Sequence, residues 1–195
     1  MSAEVHGQTF PQYNRERPTR FEVEGYSVPD AVLTETIRSL TTHASVRKYK
    51  SDPLPEGALE AILVAGISAA TSSNMQAYSI ITVTDPEKKK RLAELAGDQQ
   101  FIADCPVFLV FCPDIYRLQH VSRRQGYEFK ANYLEMFLVA AVDAALVCQN
   151  VAAAAESLGL GTVMIGAIRN RSKEVAEVLG LPEGVFALVG LCVGY

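Results

Sequence analysis

Apolar residues recur at helical spacing in several separate segments of the chain. A helix is predicted over residues 30–40, and a second one follows the pair Pro53 and Pro55. A third helix opens at Asp85–Pro86 and runs to about Leu95. In the last part of the chain, Ser172 is expected to cap a helix that ends at Gly180.

Between these helices, short apolar and β-branched runs predict strands. They cover residues 78–84, 106–112, 162–165 and 186–193. The run 106–112 is apolar throughout, so it is expected to lie in the centre of a sheet. Residues 129–158 predict one long, apolar helix of roughly 45 Å. Because such a helix is apolar nearly all round, we expect a second subunit to cover part of it.

Two segments lack a clear period. Residues 1–27 are polar and contain two prolines, which indicates an arm that is either extended or wrapped over a neighbour. Residues 113–127 are polar and basic and carry no assignable element. The chain is therefore divided into an arm over 1–29 and one α+β domain over 30–195, with helices flanking a central, mostly antiparallel sheet.

Composition excludes several classes of function. A net charge of −4 argues against nucleic-acid binding. The four cysteines lie in apolar segments without a Cys-x-x-Cys pair, which indicates reduced, buried thiols in a cytoplasmic protein. No signal sequence is expected, because residues 1–27 lack an apolar core. The apolar stretch 137–147, interrupted by Asp143, is expected to be too short to cross a membrane.

A first candidate site contains His43, Ser45, Val46 and Arg47. The planar guanidinium of Arg47 suits a phosphate, although a plain surface arginine is an equal alternative. His43 has no His-x-x-His or Glu-x-x-His partner, so a metal site is not predicted. The alternative for His43 is a helix-end residue that bonds backbone carbonyls.

Further candidates are polar residues and glycines near strand ends. Thr71, Ser72, Ser73 and Gln76 form either a solvated linker or a set of hydroxyl and amide ligands. Gln99 is either a ligand or a helix-start residue. Gly159, Gly161 and Gly166 do not form a dinucleotide fingerprint, because the first two follow a helix instead of a strand. Gly159 is expected to end that helix, and Gly166 to mark a tight turn or a close approach to a flat ligand.

Taken in order, these segments are similar to those of the flavin-dependent nitroreductase family, within its NADPH-dependent flavin reductase branch. The matching pieces are His43-x-Ser45-Val46-Arg47, Thr71-Ser72-Ser73-x-Met75-Gln76, Gly97-x-Gln99, Gln149-Asn150, Ala155 to Gly161, Ile165 to Asn170, and Gly190 to Gly194. Each piece alone is weak, whereas the ordered set over residues 30–195 is specific.

The resemblance implies an α+β nitroreductase-like fold that holds FMN at a homodimer interface. His43, Ser45 and Arg47 would contact the phosphate and pyrimidine side of FMN. Thr71 and Ser73 would contact the ribityl chain or phosphate, with Ser72 and Gln76 in the same segment. Gln99 would contact a ring edge. Met164, Ile165, Gly166 and Ala167 would lie along the isoalloxazine.

The implied activity is a ping-pong hydride transfer from NADPH or NADH through FMN to a nitroaromatic, quinone or free flavin. No side chain need be catalytic, since the chemistry belongs to the cofactor. The sequence departs from the branch at Ala44, Met164 and Ala167, where Arg, Tyr and Gly are common. It also ends before the branch's C-terminal arm with its phosphate clamp, which leaves a non-catalytic, flavin-storing homodimer as the alternative function.

Overall fold

The computed structural model describes residues 4–5, 8–9, 17–130 and 133–195. Its centre is a four-stranded antiparallel sheet in the order β3-β4-β6-β5. The strands are β3 (Tyr78–Val83), β4 (Val107–Pro113), β5 (Gly161–Ile165) and β6 (Val189–Gly194). A separate pair, β1 (Glu4–Val5) and β2 (Gln8–Thr9), is also antiparallel. The predicted α+β class and the central place of β4 are confirmed.

Eight helices lie in the described part of the chain. They are α1 (Arg20–Glu24), α2 (Glu35–Thr41), α3 (Ala58–Ile67), α4 (Pro86–Leu95), α5 (Gln100–Asp104), α6 (Ile115–Arg124), α7 (Leu134–Ser157) and α8 (Ser172–Leu179). Short 3₁₀ turns cover Asp30–Val32, Ser72–Asn74 and Gly166–Arg169.

Alternation along β4 divides the core between the two faces of the sheet. Phe108 and Val110 belong to one buried cluster, which also contains Leu92 of α4 and Val175 of α8. Leu109 and its odd-numbered neighbours belong to a second cluster with residues of α3 and α7. Because successive strand residues point to opposite faces, an entirely apolar strand is what a sheet covered on both sides requires.

Several predicted elements are confirmed with small shifts at their ends. These are α3, β3, α4, β4 and β5. Gly180 ends α8 in the left-handed conformation, with φ of 66°. Gly159 has φ of 78° just after α7, as expected of a glycine that ends a helix.

Other predictions were wrong in ways that have local causes. The arm contains α1, because Thr19 and Glu22 form a reciprocal capping box. The helix over 30–40 is split: after the first 3₁₀ turn, Thr34 caps α2. Ser172 is the first residue of α8, not its cap, and its hydroxyl donates to the Arg169 carbonyl. The last strand begins at Val189, not at 186.

The basic segment 113–127 contains a helix that its sequence pattern did not reveal. Asp114 caps α6 by accepting from the backbone N–H of Arg117 at 2.8 Å. None of the residues of α6 is buried, and its few apolar residues, with Ile115 and Leu118 half-buried, lie among arginines and other polar residues. The segment therefore looks like a polar connection in the sequence. The arm's remaining residues 1–3, 6–7 and 10–16 lie outside the described part of the chain.

The long helix is shorter than predicted. α7 has 24 residues and therefore measures about 36 Å, while Phe129 and Lys130 precede it as non-helical chain. By length and composition alone α7 is apolar enough to cross a membrane, which corrects the expectation that no stretch is long enough. The core helix of a soluble domain passes the same test, and α7 packs on the sheet with its Asp143 fully buried.

All four cysteines are buried and free, as predicted. Burial raises the pKa of both Cys112 and Cys148 to about 12, so these thiols stay protonated at neutral pH. A protonated, buried thiol is a poor nucleophile. We therefore assign Cys112 and Cys148 to packing.

Candidate functional site

Residues 43–47 lie along the outer edge of β5. Ser45 forms a parallel bridge with Thr162, and the Val46 N–H donates to the Thr162 carbonyl at 2.8 Å. A Cβ at Gly161 would come within 2.7 Å of a Val46 methyl group, so the glycine permits this close approach. Val46 is buried, whereas His43, Ser45 and Arg47 are exposed. The three predicted polar ligands thus share one side of an extended segment.

His43 is held by a carboxylate, not by backbone carbonyls. Its Nδ1 lies 2.6 Å from Oε1 of Glu156, near the end of α7. The Thr162 hydroxyl donates to the same oxygen at 2.6 Å. The Glu156 side chain is buried and that of His43 is half exposed. The carboxylate therefore holds the ring from the side of the protein interior. Sequence reasoning missed Glu156, because a contact across 113 residues leaves no local pattern.

Arg47 carries a guanidinium that faces solvent. Arg38, Arg91 and Arg171 each form an ion pair with a nearby carboxylate. Arg47 is exposed and forms no ion pair with any described residue. A guanidinium in this state is available to an external anion.

The turn after β5 lies farther along the same strand that Ser45 meets at Thr162. Met164, between this bridge and the turn, is 43% exposed. Ile165 is buried, Gly166 is exposed and Ala167 is half-buried. Residues 43–47 and 164–167 together are called the β5-edge cluster below.

Gly166 matters for the space that it leaves. It is absent from the glycines with positive φ, so its backbone needs no special conformation. A Cβ there would lie 3.3 Å from Nη2 of Arg169, whose guanidinium also donates to the Leu188 carbonyl. A side chain would therefore press on this guanidinium or extend into the open surface.

Residues 71–76, called the β3-edge loop below, lie at the opposite edge of the sheet. The pairs Tyr78–Pro113, Phe111–Val189 and Gly190–Ile165 place this loop at the same end of the sheet as Gly166. Three strand spacings separate β3 from β5, which is about 14 Å. Thr71 is half-buried, whereas Ser72, Ser73 and Gln76 are exposed. One chain therefore does not bring this loop together with Arg47.

Gln99 lies nearer to the β5-edge cluster. A Cβ on neighbouring Gly97 would lie 3.9 Å from the Asn170 side chain, just past the 166–169 turn. Gln99 itself occupies the cap position of α5, and its amide donates to the Ala96 carbonyl at 3.0 Å. The helix-start interpretation thus describes its present contacts, and a ligand role would use its remaining acceptor.

Since the family resemblance implies FMN at this turn, we expect Gly166→Val to lower FMN occupancy much more than it lowers the melting temperature of the flavin-free protein. The added methyl groups enter the open surface beside Arg169, while the ordinary backbone conformation of Gly166 tolerates valine. Flavin fluorescence quenching and thermal unfolding measure the two effects. An equal loss in both would mean that Gly166 serves only the turn.

Comparison with known proteins assigns this chain to a family. The model of the Nitroreductase family matches residues 40–195. An FMN reductase [NAD(P)H] of Bacillus subtilis is 46% identical over 166 residues, which cover 84% of this chain and 66% of that protein. An NADPH-flavin oxidoreductase of Vibrio harveyi is 39% identical over 163 residues, with the same coverages. The chain thus spans just under two-thirds of these relatives.

Comparison with solved structures gives the same fold. An NADPH:FMN oxidoreductase from Vibrio harveyi, complexed with NAD+, superimposes with a TM-score of 0.79 at 40% identity. The match covers 83% of this chain and 69% of that one. A Bacillus subtilis protein described as NfrA1 nitroreductase gives a TM-score of 0.80 at 43% identity, over 83% and 66% of the two chains.

Proposed function

The chain belongs to the nitroreductase family, and we propose that it is an FMN-dependent NAD(P)H oxidoreductase that reduces nitroaromatics, quinones or free flavin. The observation that carries the proposal is the β5-edge cluster. It combines a guanidinium that has no ion pair among the described residues, a hydroxyl and a carboxylate-held imidazole with the exposed turn at Gly166. Relatives described as flavin reductases over the same residues support it.

The residues of this cluster fit FMN. Arg47, Ser45 and His43 supply the cation and hydrogen-bonding groups that a phosphate requires. The side-chain-free surface at Gly166, between Ile165 and Ala167, accommodates a flat ring. When bound, FMN would take a hydride from NADPH or NADH and pass reducing equivalents to the acceptor in a second half-reaction.

The protein's own residues then bind and orient, and none needs to act as acid or base. Glu156 fixes the His43 ring, and buried Val46 anchors the strand that carries Ser45 and Arg47. We propose that backbone N–H groups of residues 165–167 contact a ring edge of the flavin. We propose small-molecule acceptors, a cytoplasmic location, and no nucleic-acid, membrane or metal partner.

A homodimer would complete the site. The β3-edge loop and the β5-edge cluster lie at opposite edges of one sheet, so a two-fold partner would bring its own loop to the cluster. An apolar face supports this arrangement: five large residues of α7 are 44–70% exposed, namely Leu134, Phe137, Leu138, Val142 and Leu146. Val64 and Ile67 of the neighbouring α3 are exposed as well. Large exposed apolar patches of this kind mark interfaces.

Steady-state oxidation of NADPH and NADH with a quinone acceptor tests the activity. A ping-pong mechanism predicts parallel double-reciprocal lines when acceptor concentration is varied. A flavin-storing protein would bind FMN and leave NADPH unoxidised in the presence of the quinone. That outcome would contradict the proposed activity while retaining the cofactor.

A further inference from the structure

Asp143 is a fully buried carboxylate on α7 that bonds only to the chain around the β3-edge loop among the described contacts. Its Oδ1 accepts from the Ser72 N–H at 2.9 Å, and its Oδ2 accepts from the Ala77 N–H at 3.1 Å. Burial of a carboxylate is unfavourable unless its oxygens are hydrogen-bonded. The two donors lie near the two ends of the loop, so one side chain holds both ends. Asp143 with these two hydrogen bonds is called the clamp below.

The loop that Asp143 closes is strained. Ser73, Asn74 and Gln76 have φ of 50°, 54° and 50°, a left-handed region that favours glycine. Among the described residues, only one further non-glycine residue has a positive φ, and it is Asp98 beside Gln99. Such strain persists only where surrounding contacts hold it, and it gathers at functional sites.

Holding this loop in place adds little to the packing of the hydrophobic core. Ser72, Ser73 and Gln76 are exposed, so holding them in place buries little apolar surface. What the two hydrogen bonds fix is the shape of an exposed polar segment. Arg117 of α6 adds a third constraint by donating to the Gln76 carbonyl.

We propose that Asp143 is a positioning residue, which holds the β3-edge loop in the conformation that presents Ser72, Ser73 and Gln76 to FMN. This inference rests on the proposed function. In the sequence Asp143 stands out only as a polar interruption of an apolar helix. Its partners lie 66 and 71 positions away, so local pattern gives it no role.

Asp143→Asn is the first test, because the amide has the same shape but only one acceptor oxygen. We expect the FMN dissociation constant to rise on the order of tenfold, since a hydrogen bond to a charged acceptor is lost. Hydrogen exchange at the Ser72 and Ala77 amides of the flavin-free protein should accelerate as well. Val147→Ala is the matched control: it removes buried atoms one turn along α7 and leaves both hydrogen bonds of Asp143 in place.

A second pair of variants removes the same bond from the loop side. Ser72→Pro deletes the N–H that donates to Asp143, and the extended Thr71, with φ of −132° and ψ of 154°, accepts a following proline. Ser72→Ala keeps the N–H and removes only the hydroxyl. We expect Ser72→Pro to weaken FMN binding more than Ser72→Ala does.

The outcomes separate the clamp from a general effect on stability. Loss of FMN affinity in Asp143→Asn, with affinity retained in an equally destabilised Val147→Ala, supports the positioning role. Affinity that falls in both variants in proportion to melting temperature overturns it, as does unchanged exchange at Ser72 and Ala77. If the unaltered protein fails to bind FMN, the proposed function falls, while the exchange experiment still reports whether the clamp exists.

Discussion

Replacing Arg47 with alanine is expected to weaken FMN binding by on the order of 2–4 kcal/mol, or about 30- to 1000-fold in the dissociation constant. The guanidinium is exposed and forms no ion pair with a described residue, so its charge is available to the phosphate. Ser45 and His43 add hydrogen bonds on the same side of the segment but no permanent charge. Arg47 should therefore supply most of the electrostatic attraction.

Flavin fluorescence quenching measures this effect, and two further variants define it. Arg91→Ala removes an exposed arginine that is paired with Glu94 on α4, and it should leave FMN affinity unchanged. Arg47→Lys keeps the charge but loses the planar fork, so it should fall between alanine and the unaltered protein. An unchanged dissociation constant in Arg47→Ala would remove this residue from the site.

Placing a charge on α7 with Leu138→Glu is expected to dissociate the dimer and release FMN with it. Leu138 is 46% exposed and, with Val142 and Leu146 at successive intervals of four, forms an apolar stripe directed away from the subunit's own core. Burying an unpaired carboxylate there, and losing the leucine contact, should cost about 3 kcal/mol or more per chain. A two-fold interface would contain the substitution twice.

The reason for coupled loss is mass action. A ligand that binds only the dimer stabilises it, so weaker dimerisation must also appear as weaker FMN binding. Light scattering over a dilution series, with and without FMN, measures both. Lys90→Glu, which places a carboxylate on the exposed surface of α4, is the control and should change neither. A Leu138→Glu protein that stays dimeric would show that this stripe is not the interface.

Local signals made much of the fold predictable. Asp85 and Pro86 start α4, Gly180 ends α8, and the apolar run in β4 belongs to a strand buried on both faces. α6 was missed because its few apolar residues lie among basic and polar ones, and none of its residues is buried. The predicted helix begins at 129, earlier than α7 does. Helical spacing continues back to that point, and no capping side chain marks the start at Leu134.

The site was only partly predictable, because its supporting contacts are long-range. The side of the extended segment that carries His43, Ser45 and Arg47 follows from period-two alternation. Glu156 and Asp143 act on residues 66 to 113 positions away, and a single sequence contains no pattern for such pairs. The strained angles at Ser73 and Gln76 are equally invisible, since neither residue type favours them.

The most direct test of a flavin site completed by two copies of the chain is sedimentation of the FMN-reconstituted protein, followed by protein and flavin absorbance together. The proposed function predicts that flavin sediments with a dimer, at one FMN per chain, and that NADPH added without oxygen bleaches the flavin band. Flavin that sediments with a monomer, or protein that carries no flavin after reconstitution, would contradict it.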